Sequence, residues 1–322
     1  MQNLNTAPRI SIVVTTRNDN HGMYMRERFH MFLKHLSEQC DAHNLNAELV
    51  IVEWNPNMNS SSLYEATSWP KGENLDIRII TVPGKIHNMF ENSDIFHMFQ
   101  MIAKNVGIRR AKAQWVLCTN VDILFSDALT TTLANSELDP DVYYRVDRYD
   151  LGVRIIPESL SMAARLAFCE DQVIRVQNQT GTMSPAAHDA RKDPDENTPH
   201  TNACGDFTLL SRDKWIELRG YPEFPISSIY IDGLLLYAAK ATGMRQKILP
   251  PPCKIYHIEH GEGWVLDKKS VMAMPRLDYN SGYRALTRQM LDSHSPLDVN
   301  ATGWGLADVQ LAEQRIPPLR EM

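Results

Sequence analysis

Thr119-Asn120-Val121-Asp122 follows the apolar run Trp115–Cys118 and ends on a carboxylate. Open α/β sheets keep their chemistry at the C-terminal ends of their strands, which is where such an acid would sit. An ionised Asp beside a buried strand is costly unless a cation or a hydrogen-bond donor compensates it. A divalent metal carrying a ligand phosphate would do so, although Asn and Asp also begin ordinary turns. Downstream, His257-Ile258-Glu259-His260 offers two imidazoles three residues apart. Mg2+ and Mn2+ prefer oxygen ligands and share coordination with substrate phosphates, so Asp122, a diphosphate, waters and one histidine would complete a site. On a helix that spacing puts both imidazoles on one face; on a strand they diverge. The order HxEH is not the HExxH of zinc proteases, which sets hydrolysis of that kind aside.

Two more acids stand where proton transfer could use them. Asp232 opens the amphipathic run Ile231–Thr242. A carboxylate there interacts with the helix dipole for about 0.3–1 kcal/mol, and the same position suits a general base. Asp206 lies between Gly205 and the apolar Phe207–Leu210, an acid at the start of a strand.

The elements that must position these groups alternate. Arg9–Val14, Ala47–Val52, Ile77–Val82 and Trp115–Cys118 read as buried strands. Between them, Met25, Phe29, Phe32, Leu33 and Leu36 repeat at helical spacing, and Ile95–Arg110 reads as a second helix. This order implies βαβ units and a largely parallel sheet, with polar strand ends such as Thr15-Thr16-Arg17-Asn18 gathered on one edge. There is no GxGxxG after the first strand and no GxxxxGK[ST], so neither common nucleotide loop is present. Later, Tyr143–Asp150 predicts a strand carrying Arg145 and Arg148, and Gln177–Asn202 predicts a long polar loop of the kind that forms lids. Asp213–Leu218 predicts a short helix ending before Gly220, and the tail after about Val265 gives no firm signal.

In this order the motifs resemble the GT-A glycosyltransferases, especially the family 2 type, over roughly residues 9–264. The first strand with Thr15, Thr16, Arg17 and Asn18 looks like the strand that lines the donor nucleotide. Val50–Glu53 looks like the second strand, whose terminal acid holds base or ribose; here it is Glu53 where Asp is usual. Ala103–Gly107 is similar to the ARNxG helix. Asn120-Val121-Asp122 takes the place of the DxD motif with an amide in its first position, and Gly205–Tyr221 followed by Ile231-Asp232 resembles the acceptor half.

The resemblance implies an α/β fold of GT-A type, with a Rossmann-like, mostly parallel central sheet flanked by helices. It implies a domain over 1–265, with a donor half to about 125 and an acceptor half after it, and a C-terminal extension over 266–322. It further implies a metal-dependent, inverting transfer of a sugar from a nucleotide-diphosphate sugar to a hydroxyl on a glycan or other acceptor. Thr15, Thr16, Arg17, Glu53, Asn105, Asn120 and Asp122 would hold the donor. Asp122 with His257, or secondly His260, would hold Mn2+ or Mg2+. Asp232 would be the base, with Asp206 orienting hydroxyls or replacing it. Trp215, Tyr221, Phe224, Tyr230 and Trp264 could supply a sugar-stacking wall, and Lys104, Arg145 and Arg148 could touch phosphate. The rivals are a sugar nucleotidyltransferase, whose Gly-rich basic loop is missing from Thr15–Gly22, and a non-catalytic nucleotide-sugar-binding protein, which the amide at Asn120 keeps open.

Composition fits these expectations. The 322 residues suffice for a large α/β domain, and 43% hydrophobic with 22% charged residues is ordinary for a globular chain. A net charge of −6 argues against a dedicated nucleic-acid binder, so an anionic substrate needs a local cation. No run approaches the roughly 18 apolar residues of a membrane span. Residues 1–8 show no secretory signal pattern. Five scattered cysteines without CxxC spacing predict buried thiols in a cytoplasmic protein.

Overall fold

Strands β1 (Ile10–Thr16) and β2 (Ala47–Trp54) are buried along their whole length, as apolar runs flanked by helices should be. Their side chains alternate between two cores. Ile10, Ile12, Val14, Leu49 and Ile51 pack under the Met25–Ala42 helix, while Val13, Val50, Val52 and Trp54 pack under the Gln100–Arg110 helix. Gly107 permits that second contact, since a Cβ there would lie 2.5 Å from Val13 Cγ1. The structure is a computed structural model and describes residues 7–189, 194–260 and 273–321.

The remaining strands are β3 (Leu75–Val82), β4 (Trp115–Cys118), β5 (Ile123–Phe125), β6 (Val142–Arg145), β7 (Arg148–Leu151), β8 (Val173–Asn178), β9 (Gly181–Met183), β10 (Thr208–Ser211), β11 (Arg245–Ile248), β12 (Ile255–His257) and β13 (Ala312–Ile316). They form a central sheet ordered β11-β6-β10-β4-β1-β2-β3-β13 and a smaller sheet ordered β5-β12-β7-β8-β9. In the central sheet β3, β2, β1 and β4 run parallel, as does the β6–β11 pair, and β10 is inserted antiparallel between β4 and β6. The expected α/β architecture, a large central sheet flanked by helices, is therefore present. Among the described residues no helix is long and apolar enough to cross a membrane.

Three local expectations are corrected. The helix expected from Ile95 begins at Gln100, because Phe96 and Phe99 are drawn with Phe90 into an aromatic cluster, where Phe90 and Phe99 also pack on Trp54, and Phe99 is extended. Tyr143–Asp150 is two strands, β6 and β7, in different sheets: the chain crosses over at Val146-Asp147. The segment expected as a loop over 177–202 contains the end of β8, all of β9 and a short helix, Pro185–Asp189; residues 190–193 lie outside the described residues. Its Asn178-Gln179-Thr180-Gly181 turn closes a hairpin, with Gly181 at φ 131°.

The tail, which carried no clear pattern, supplies β13 at the edge beside β3. Arg78 anchors it, pairing with Glu313 through Nε (2.7 Å) and Nη2 (3.0 Å) while Nη1 reaches buried Glu48 (2.9 Å).

Candidate active site

The Thr119–Asp122 segment carries the chain from β4, in the central sheet, to β5, in the smaller one. It is fastened on both sides. Toward the central sheet, Thr119 N–H donates to Val13 O (3.0 Å), Thr119 Oγ1 donates to Asp206 O (2.7 Å) and Asn120 Nδ2 donates to Asp206 Oδ1. Toward the smaller sheet, β12 lies antiparallel to β5 with His257 opposite Ile123, and Ile258 N–H donates to Asp122 O (3.0 Å). This register sets the metal candidates. His257 ends a strand and His260 follows in the loop, so neither is helical, yet their rings converge at 5.1 Å.

Asp122, His257 and His260 each present a ligand atom within 4.8 Å of the others. His260 Nε2 lies 3.2 Å from Asp122 Oδ2, which also accepts from Arg28 Nη1 at 3.0 Å. Among the described residues, Asp122 Oδ1 is buried and has no hydrogen-bond partner. Burial alone would raise this carboxyl's pKa; the hydrogen bond from His260 and the charges of His257, His260 and Arg28 outweigh it and hold the group below the usual range. An ionised, buried oxygen left without a donor beside two imidazoles fits a divalent cation, and Asp122, His257 and His260 would hold it. Behind His257 stands Asp150, 3.4 Å from Nδ1, itself neutralised by Arg148 Nε (2.7 Å) and Arg175 Nε (2.6 Å). Carboxylates behind ligating histidines orient the ring.

The triad opens into a cleft of two joined chambers, of about 540 Å³ and 570 Å³, which share Gln100, Asn120, Arg148, Asp206, Ser228 and Ile229. The first chamber takes in Thr15, Asp122, His257 and His260, with an apolar side that includes Ile95, Phe96 and Met98. The second takes in Asp232 and four tyrosines.

Asp232 is half-buried at the first turn of the Ile231–Ala241 helix. Its Oδ2 accepts from Gly205 N–H (2.8 Å) and its Oδ1 from Gly233 N–H (2.9 Å). Gly205 is a glycine for a reason, since a Cβ there would stand 3.0 Å from Asp232 Oδ2. Burial raises the Asp232 pKa; the Cys204 and backbone hydrogen bonds and the Lys104 charge restrain the rise. Lys104 is fully buried and donates to Gly205 O at 2.6 Å, so the two peptide groups flanking Gly205 Cα link this cation to Asp232. Burial lowers the lysine's pKa against the opposing pull of Asp206 and Asp232.

Asp206 occupies the junction of the chambers with both oxygens engaged: Oδ1 by Asn120 and Oδ2 by Arg148. Asn120 Oδ1 in turn accepts from Gln100 Nε2 at 3.0 Å.

Other expected residues fall away from the cleft. Asn105 is fully buried and donates to Tyr221 O (2.8 Å) and Glu223 Oε1 (3.0 Å) while accepting from Tyr221 N–H (2.8 Å), which clamps the Gly220 turn. Glu53, with its pKa raised by burial, accepts from Leu63 N–H at 2.9 Å and lies 3.4 Å from Thr81 Oγ1. Arg17 bridges the ends of β1 and β2 by donating to Asn55 O at 2.7 Å, and Thr16 is buried beside Glu53 in the same register. Thr15 alone of that cluster lines the cleft. Arg145 is buried on His200 O and Asn202 O.

In the expected aromatic wall, Trp215 and Tyr221 are buried in the core, Phe224 packs against it, Tyr230 reaches the cleft and Trp264 lies outside the described residues. Arg28, Asp150, Tyr279 and Tyr283 were not anticipated. Only Arg28 left a trace in the sequence, as a charge one residue from Phe29 and three from Met25 on an apolar helix face.

No protein-family model matches the chain, and no curated protein matches it. Among solved structures it is similar to the mannosyltransferase PcManGT from Pyrobaculum calidifontis in complex with GDP-Man and Mn2+, at 14% identity and a TM-score of 0.42 over 79% of this chain and 58% of that one. It is also similar to GalNAc-T7 with UDP, GalNAc and Mn2+ (12%, TM-score 0.43, 95% of this chain and 57% of that one). A third is S. aureus TarS 1-349 (14%, TM-score 0.41, 77% and 60%). The chain thus spans between 57% and 60% of the length of these structures.

Proposed function

We propose that the chain is a metal-dependent glycosyltransferase that moves a sugar from a nucleotide-diphosphate sugar to an acceptor hydroxyl with inversion. The observation that carries this reading is the buried, unpartnered Asp122 Oδ1 beside His257 and His260, in a cleft that continues to a second carboxylate, Asp232. A divalent ion bound there supplies charge neutralisation for a diphosphate leaving group. Arg148 faces the same space, and Thr15 lines its wall at the end of β1.

Asp232 takes the proton of the acceptor hydroxyl as its oxygen bonds to the anomeric carbon and the nucleoside diphosphate departs. Its raised pKa suits a base that must hold a proton transiently. Asp206, tied up by Asn120 and Arg148, joins the two chambers and orients the sugar between them. Five cysteines, all free and buried, suit work in the cytoplasm.

The test is calorimetry with MnCl2 and a panel of nucleoside diphosphates. Asp122→Asn keeps the side chain's shape and should weaken metal-dependent nucleotide binding at least about tenfold, or roughly 1.4 kcal/mol. Undiminished affinity in the variant, or full affinity in EDTA, overturns the reading. Proton NMR of the glycoside produced reads inversion directly.

A further inference from the structure

The second chamber carries a group of aromatic rings gathered on the core residue Tyr283. Tyr230 and Tyr279 keep 37% and 49% of their surface exposed, high for large side chains lining a cleft. They gather around Tyr283, which is almost buried: Tyr230 stacks on it at 5.2 Å with a 28° tilt, and Tyr279 at 5.9 Å with a 25° tilt. Tyr283 itself presses on the backbone beside Asp232, since a Cβ on Gly233 would lie 2.8 Å from its hydroxyl. The rings are thus indexed to the carboxylate by direct packing.

Two local features hold the exposed pair in place. Tyr230 has a left-handed backbone (φ 72°, ψ −14°), a conformation bulky residues rarely adopt, immediately before the helix that Asp232 begins. Asp278 accepts from Asn280 N–H (3.0 Å) and Ser281 N–H (2.7 Å), fixing the turn that presents Tyr279. The same chamber is lined by Gln179, Thr180 and Asn202, and by Thr201, whose side chain hydrogen-bonds Tyr283. The lining therefore combines aromatic rings with amide and hydroxyl groups.

We propose that this chamber is a carbohydrate-acceptor subsite in which Tyr230 and Tyr279 receive the apolar face of a pyranose ring beside Asp232. The inference rests on the transferase reading only for the fate of the sugar, since binding itself needs neither donor nor metal. A pyranose matches both kinds of group, with C–H groups against the rings and hydroxyls toward the amides. An alkyl chain would bring no hydroxyls to the polar part of the lining, and an extended peptide would offer the rings little flat surface.

The experiment is saturation-transfer NMR on the full chain, with methyl glucoside, methyl mannoside, methyl galactoside, maltose and diacetylchitobiose as probes, and hexanediol and a serine-containing peptide as controls. At least one saccharide should receive saturation at its ring protons, and the signal should fall at least about fivefold in Tyr279→Ala. It should survive in Tyr279→Phe, in Asp122→Asn and in EDTA. The discriminating variant is Tyr230→Gly. Glycine suits the left-handed backbone, so this protein should melt at or above the wild-type temperature while losing saccharide binding. Tyr230→Gly that melts lower and still binds would make the ring a packing residue and overturn the proposal. So would saccharide signals no stronger than those of the controls, or signals unchanged in Tyr279→Ala. Saccharide binding without metal-dependent nucleotide binding would keep this subsite and sink the transferase reading; the reverse would do the opposite.

Discussion

Asn120→Asp restores the carboxylate that the DxD pattern carries at its first position, and the structure predicts that it harms the protein. The Asn120 amide donates to Asp206 Oδ1, so the replacement sets a second carboxylate against the first. Two unit charges about 4 Å apart repel by about 4 kcal/mol at an effective dielectric near 20. The lost charge-assisted hydrogen bond adds roughly 1.5–3 kcal/mol. Arg148, already on Asp206 Oδ2, and local relaxation take back part of this, leaving about 3 kcal/mol. At 1.36 kcal/mol per pH unit, that opposes ionisation of the introduced carboxyl by about two pH units.

A carboxyl raised in the folded state destabilises only where it must ionise. The variant should therefore match wild type near pH 4, lose stability as the pH rises from about 4 to about 6, and stay about 3 kcal/mol less stable at pH 8. Urea unfolding in EDTA across that range measures it. Equal stability at pH 8 would refute the argument, as would tighter Mn2+ binding by the variant, because either result means that the new carboxylate turns away from Asp206.

Two other outcomes follow from the same network. Arg28 is 3% exposed and its Nη1 faces Asp122, so Arg28→Met should lower stability in EDTA by about 3–5 kcal/mol, and MnCl2 should raise the melting temperature more in the variant than in wild type; an equal metal shift would separate Arg28 from the metal site. Asp232→Asn should lower kcat at least about 10²-fold, and it also turns an amide NH2 toward the Gly205 or Gly233 N–H at a cost of about 1–3 kcal/mol. Because the Asp232 pKa is raised, wild type loses stability as the pH climbs from about 4 through the raised value and the variant does not, so the gap should narrow over that window; a constant gap in denaturant titrations would contradict the raised value.

The strands that build the site were legible because each is an apolar run ending in polar residues, and buried parallel strands leave that mark. Asp122 was legible for the same reason, standing at the end of one of them. The mate of each functional group was not. Arg28 contacts Asp122 from a helix 94 positions earlier, and Asp150 reaches His257 only because β7 and β12 pair in parallel with those two residues in register. Asn105 and Glu53 were expected at the donor from motif position alone. Their side chains point into turns whose backbone donors they satisfy, a demand that spacing does not reveal. The tail was opaque because β13 is exposed along most of its length and is held by Arg78 and the β3 ladder rather than by an apolar face.

Asp232 rather than Asp206 is proposed as the base because of their partners. Asp206 stands nearer the middle of the cleft and faces Arg148, whose charge is sustained by Asp206 and Asp150 against burial. To accept a proton, Asp206 would have to weaken that ion pair and the bond from Asn120, which also holds the Asp122 loop. Each turnover would then loosen the segment that carries the metal candidate. Asp232 accepts from the Gly205 and Gly233 N–H groups and from the Cys204 thiol, all neutral donors, whereas Asp206 is held by a guanidinium. It can take a proton without weakening an ion pair. Gly205, whose N–H is bonded to Asp232 and whose carbonyl is bonded to Lys104, keeps the group in place while its charge changes. In the proposed reaction the two carboxylates would divide the work: Asp206 would hold the chambers together and Asp232 would exchange the proton.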